Sequence, residues 1–142
     1  MAKIEKRIQY TVPLVNQPGQ IDRLATALAG KRVSLLGLAA GTMADIGYVR
    51  FIATEDLNLR GALKDAGFEA IPSPVFCVPL LHKAGELARL TKVLRAADVN
   101  ITALYGTAIE GEHAMLVLSV DKPTQAEEPL MEFARGMVLA SH

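Results

Sequence analysis

The strongest constraint on this chain is that it carries the same stretch twice. Residues 12–38 and 78–104 align without a gap at a spacing of 66 positions. Identities fall at Val12/Val78, Pro13/Pro79, Leu14/Leu80, Gly19/Gly85, Arg23/Arg89, Leu24/Leu90, Leu28/Leu94, Val33/Val99 and Leu38/Leu104. Apolar character is kept at further pairs, among them Ile21/Leu87 and Leu35/Ile101. A period this long exceeds a solenoid unit and suits two small domains in tandem. The expected division is 1–72 and 73–142.

Half of a 142-residue chain buries only a small core. The halves are therefore expected to pack on each other or on a second chain. Hydrophobic residues make up 51%, which points to burial rather than disorder. Fifteen basic residues balance fifteen acidic ones, so no net field draws nucleic acid or anionic lipid. Cys77 is the single cysteine, leaving no intrachain disulfide partner and no metal-ligand spacing. Residues 1–11 lack the apolar region of a signal peptide, and no apolar run approaches a membrane span. The expectation is a soluble cytoplasmic protein with no metal, cofactor, nucleic-acid or membrane partner.

Residues 8–14 alternate Ile8, Tyr10, Val12 and Leu14 against polar or proline positions, which predicts a half-buried strand. Asn16-Gln17-Pro18-Gly19 breaks it, with Pro18 suited to a first helical position. Ile21, Leu24, Ala25 and Leu28 mark one helix face ending near Gly30. Strands are predicted at 33–40 and 46–53, a helix at 55–66 with Leu57, Leu59 and Leu63 inside and Gly67 as its stop, and a short strand at 68–71. After Pro72-Ser73-Pro74 the order restarts. Strands are predicted at 75–81, 99–106, 114–120 and 137–140, with helices at 84–97 and 127–135 and Gly136 as a stop. Ala66-Gly67-Phe68 matches Arg135-Gly136-Met137, with the extra residues absorbed around Pro123 and Pro129. Two β-α-β-β-α-β units imply an α+β fold of two tandem ferredoxin-like sandwiches, each a four-stranded antiparallel sheet with helices on one face.

That fold hosts many functions, so side chains must choose among them. Gly47-Tyr48-Val49-Arg50-Phe51 resembles the end of an RNA-binding strand signature. Base stacking needs aromatics on two strands, whereas the second repeat has Ala114-Met115-Leu116-Val117. The pentapeptide is read as an ordinary strand, with Tyr48 and Arg50 on one face and Val49 and Phe51 on the other. A soft-metal carrier would need a cysteine pair that neither repeat has. His82 and His113 occupy non-equivalent positions with no nucleophile nearby in sequence, so no catalytic residue is assigned and an enzyme is not expected.

A positive reading attaches to the turns before each repeat's first helix. These are Asn16-Gln17-Pro18-Gly19-Gln20-Ile21 and His82-Lys83-Ala84-Gly85-Glu86-Leu87. A helix start leaves N–H groups unpaired and partly positive, suited to a carboxylate. Glycine at the second helical position would admit a ligand close to the backbone, and Asn16 could cap the helix or bind an amino group. If Gly19 is helical, Gly19→Ala should slightly stabilise the chain. The bland alternative is that Pro-Gly simply starts a helix.

The strand, the Pro18-Gly19-x-Ile21-x-x-Leu24-x-x-x-Leu28 helix, Gly47-x-x-Arg50-Phe51 and Ala66-Gly67-Phe68 together resemble the ACT domain family. In the second repeat Gly85-x-Leu87-x-x-Leu90-x-x-x-Leu94 and Asp98-Val99-Asn100-Ile101 extend the resemblance over the whole chain. It implies a regulatory module that binds an amino acid or similar small ligand, with neighbouring ACT units sharing the site. The implied ligand-binding residues are Asn16, Gln17, Pro18, Gly19, Gln20 and Ile21 with Ala40, Gly41 and Thr42. Their second-repeat counterparts are His82, Lys83, Gly85, Glu86 and Leu87 with Tyr105 and Gly106. Ala84 replaces proline and His82 replaces the usual Asp or Asn, so the first repeat fits better. The resemblance implies a homodimer and an output through an enzyme or regulator in trans. The competing reading is a structural module whose paired sheets serve only assembly.

Overall fold

A computed structural model describes residues 3–55, 58–81, 83–107 and 113–140. The elements are β1 (Glu5–Val15), α1 (Gln20–Gly30), β2 (Leu35–Met43), β3 (Ile46–Ala53), α2 (Arg60–Asp65), β4 (Ile71–Leu81), α3 (Glu86–Ala96), β5 (Ile101–Thr107), β6 (His113–Val120) and α4 (Pro123–Ala140). They form two compact units, Ile8–Ser73 and Met1–Arg7 with Pro74–His142. The fold is the expected antiparallel α+β type, and both unit boundaries fall within long strands.

In the Ile8–Ser73 unit β3 pairs with both β1 and β2. The β1–β3 register sets Tyr10 opposite Phe51 and Val12 opposite Val49, so inward residues meet across strands. Amphipathic α1 adds Leu24 and Leu28 to this core, and α2 adds Leu63. The predicted α1 face included Ile21 and Ala25, but both are exposed. Leu59, the residue that caps α2, is buried, and its N–H donates to the Tyr10 hydroxyl at 3.1 Å. The Tyr10 ring stacks on Phe51 at 5.6 Å within the core. These two aromatics are therefore unavailable to nucleic-acid bases.

The other unit repeats the plan. β6 pairs with β4 and β5, and Leu90 and Leu94 of α3 pack with Phe76, Val78, Leu118, Leu130 and Phe133. Helix ends match as well. After α1, Arg32 takes φ 57 while Val33 N–H donates to Leu28 O at 3.0 Å. After α3, Asp98 takes φ 58 while Val99 N–H donates to Leu94 O at 3.0 Å. Gly67 ends α2 at φ 91, with Phe68 N–H donating to Leu63 O at 2.8 Å. All three follow the left-handed helix-terminating pattern in which the exposed carbonyls are satisfied.

Three expectations fail locally. Of the strand predicted at 68–71 only Ile71 is extended; it opens β4, which runs through Pro72 and Pro74 into the strand predicted at 75–81. A strand tolerates proline wherever that N–H has no ladder partner. The helix predicted at 55–66 is only α2, Arg60–Asp65; Asp56 and Leu57 lie outside the described residues. Residues 137–140 are the end of α4 rather than a strand, so Gly136 is no stop. α4 begins at Pro123, where proline fits, and continues through Pro129, which removes one helical hydrogen bond.

Candidate functional site

The first-repeat turn is built around a backbone requirement. Gly19 is not inside α1 but caps it in the left-handed region, φ 87, and Gly85 caps α3 at φ 90. A Cβ on either would meet nothing within 4 Å, so torsion rather than ligand approach accounts for glycine here. This reverses the stability expected from a helical glycine. Gly19→Ala should cost about 1–2 kcal/mol because an L-residue is strained in that region. Urea unfolding of the variant checks it.

Neither helix start carries a side-chain cap, so Asn16 is not the cap of α1. Instead Asn16 N–H donates to Asp45 O at 3.2 Å, tying the turn to the β2–β3 connection. The first N–H groups of α1 thus have no side-chain cap.

Beside this turn lies an open groove of about 240 Å³. Asn16, Gln17, Gln20 and Ile21 form one wall, and Ala40, Gly41 and Thr42 of β2 form another. Seven of the residues singled out from sequence thus line a single surface, while Pro18 and Gly19 stand in the turn behind it. Leu14, Val15, Gly47 and Tyr48 complete the lining. Sequence reasoning left these four out, although antiparallel pairing places Gly47 opposite Leu14 and Tyr48 opposite Gly41. Tyr48 is half-buried, with the Arg50 guanidinium 4.7 Å above its ring. A Cβ on Gly41 would stand 2.8 Å from the Tyr48 hydroxyl, so the ring keeps its place only because residue 41 is glycine.

The second repeat diverges at the matching turn. His82 lies outside the described residues; Lys83, Gly85 and Leu87 are exposed, and Tyr105 is half-buried. Glu86 is buried and its carboxylate is engaged internally, accepting from Arg89 Nε at 3.3 Å and Nη2 at 3.1 Å. Arg89 in turn lies 4.1 Å over the Phe133 ring. The first repeat has a neutral version, in which Arg23 Nη1 donates to Gln20 Oε1 at 3.3 Å and the guanidinium sits 4.7 Å over Phe68. The aromatic partner of Arg89 is Phe133 on α4. Gly106 is set by strand packing, since a Cβ there would meet Met115 O at 2.8 Å.

Among the described residues no group of three or more His, Cys, Asp or Glu could hold a metal ion, and no helix is long and apolar enough to cross a membrane. Burial pushes the Cys77 thiol above its ordinary 9.0; Arg7 opposes the shift and Glu5 adds to it. The folded chain therefore holds that proton more tightly, and stability falls as pH rises past 9.0, where the unfolded thiol ionises first. Cys77→Ala should flatten this alkaline loss relative to the parent in unfolding measured across pH 8–10. Iodoacetamide should label native Cys77 far more slowly than the denatured chain.

Two units of this fold, each with a strand–turn–helix start capped by a left-handed glycine, define a paired α+β protein of the ferredoxin-like type. The chain belongs to the family described as an ACT domain pair, which it matches over residues 6–139. No curated protein matches the sequence. Among solved structures it is similar to protein BT0572 from Bacteroides thetaiotaomicron, with 27% identity and a TM-score of 0.81 over 92% of this chain and 89% of that one. The regulatory subunit of aspartate kinase from Thermus thermophilus shares the fold at 13% identity and a TM-score of 0.67, over 95% of each chain. Aspartate kinase from Clostridium acetobutylicum shares it at 15% identity and a TM-score of 0.63, over 94% of this chain and 34% of that one.

Proposed function

We propose that this ACT domain pair is a regulatory module that binds an amino acid in the groove beside the Asn16–Ile21 turn. Its signal passes through assembly with a second copy or through an enzyme that it regulates in trans. The groove carries this reading: a strand-to-helix turn with uncapped N–H groups faces β2 across a space of about 240 Å³. That is below the roughly 300–1,000 Å³ of drug-sized sites and suits one small molecule. Helix N–H groups can hold its carboxylate, and the Asn16 and Gln17 side-chain carbonyls can accept from its ammonium group.

A second feature supports the assembly half. The repeat keeps Ile21/Leu87 and Leu38/Leu104 apolar, yet these side chains are exposed, with Ile21 57% and Leu38 56% accessible. Val15, Ile46 and Met43 are exposed neighbours in strand register next to the groove. Apolar surface kept in both repeats without a core role fits a covering copy. Isothermal titration with each of the twenty amino acids is the direct test. Saturable binding of at least one, lost when the groove is filled, is expected; no binding at millimolar concentration would leave the assembly-only reading.

A further inference from the structure

The Ile8–Ser73 unit carries a second, larger concavity that shares no lining residue with the groove. It is an open cleft of about 690 Å³ between α2 and the residues that follow it, within the roughly 300–1,000 Å³ typical of small-molecule sites. Buried Phe68 and Ala70 form its floor, and Arg60, Gly61 and Lys64 of α2 form one wall. The other wall exists because α2 stops at Asp65 and the chain turns at Gly67, φ 91. In the second repeat α4 runs on through the matching Gly136 to Ala140, so this turn belongs to the first repeat.

The wall on α2 is cationic for reasons that helix stability does not supply. Arg60 and Lys64 stand four residues apart, so their side chains are neighbours on one helix face. Both are exposed, and among the described residues neither makes an ion pair or a hydrogen bond. Lys64 suits the last turn of a helix, but the first turn favours an acid, and α2 has Arg60 and no acid there. Gly61 weakens the helix further. A Cβ on it would meet nothing within 4 Å, so packing does not demand glycine; its effect is to leave the space beside the two cations open. A third cation stands at the edge: the Arg23 guanidinium lies 4.7 Å over Phe68 and 3.2 Å from where a Cβ of residue 67 would be. The lining also holds two acceptors, the Glu69 carboxylate and the Asn58 side-chain carbonyl.

We propose that this cleft binds a small organic phosphate, with the phosphate between Arg60 and Lys64 and the ligand's hydroxyl or N–H groups donating to Glu69 and Asn58. The arginine fork matches phosphate oxygens and the lysine adds a compact charge. A phosphate monoester carries roughly 1.5–2 negative charges near pH 7, which suits Arg60, Lys64 and Arg23 set against the single acid Glu69. The site is independent of the groove and of any ligand bound there. The test titrates the full chain with ribose 5-phosphate and with AMP, against ribose, adenosine and inorganic phosphate. Either ester binding saturably in the millimolar range or below supports the proposal, and the two arms separate a sugar phosphate from a nucleotide. That ester should bind about tenfold or more tightly than its dephosphorylated form, the equivalent of one charge-assisted contact. Added salt should weaken the binding, because the cations are exposed and screened. Arg60→Gln combined with Lys64→Gln should lower the affinity by about the same tenfold factor with the parent's circular dichroism. Gly61→Leu should lower it with every charge kept, by placing a side chain in the open space. No binding of either ester at millimolar concentration overturns the proposal. So does equal binding of the dephosphorylated form or of inorganic phosphate, or an affinity unchanged in both variants.

Discussion

Leu90→Ala is expected to destabilise the chain by about 2–5 kcal/mol, the cost of emptying a well-packed leucine site. Leu90 is fully buried against the inner faces of β4 and β6 and against α4. Leu24, its repeat partner, is 2% accessible in the other core, and Leu24→Ala should cost a comparable amount. The two residues belong to separate hydrophobic clusters with no member in common. Their effects should therefore add to within about 0.5 kcal/mol in the double variant. The chain has no tryptophan, so urea unfolding is best followed by circular dichroism. A double-variant loss well short of the sum would mean that the repeat's matching leucines do not define two cores.

What the repeat made legible is what packing dictates. Leu24, Leu28, Leu90 and Leu94 are buried as their spacing implies, and both glycine caps fall at equivalent helix starts. Residues 137–140 were misread because four apolar residues carry too little periodicity to separate strand from helix. Here the helix of which they are the end outweighs one glycine, a burden of about 1 kcal/mol. Pro72 and Pro74 looked like a break because proline punctuates most chains, yet an extended backbone accommodates its fixed φ. At the groove, the turn and the β2 residues were visible as motifs. Tyr48 was not: register sets it opposite Gly41, whose missing Cβ leaves room for its ring, and neither relation is local in sequence. Gly19 stands out in the sequence, but its place as a left-handed cap, not inside the helix, does not, because a torsion leaves no local mark.

An amino acid bound in the groove should raise the melting midpoint by roughly 5–11 °C at a hundredfold excess over its Kd. Linkage sets the free energy at about 2.7 kcal/mol under those conditions, and chains near this length gain about 2–4 °C per kcal/mol. The groove is open, and Val15, Ile21, Ile46 and Met43 beside it are exposed. A second copy laid over that rim would cover both the apolar side chains and the ligand, so the ligand would bind the assembled form more tightly than the free chain. Reciprocity then requires the ligand to tighten assembly by the same factor. Sedimentation velocity across a dilution series should show the dissociating species shift toward the larger form as ligand is added. Met43→Ser should uncouple the two effects, since Met43 lies outside the groove lining. It removes an exposed apolar side chain that serves no core, so folding should be nearly unchanged while ligand no longer drives association. A ligand that raises the melting midpoint without altering sedimentation at any concentration would place the signal in contact with another protein, not in self-assembly.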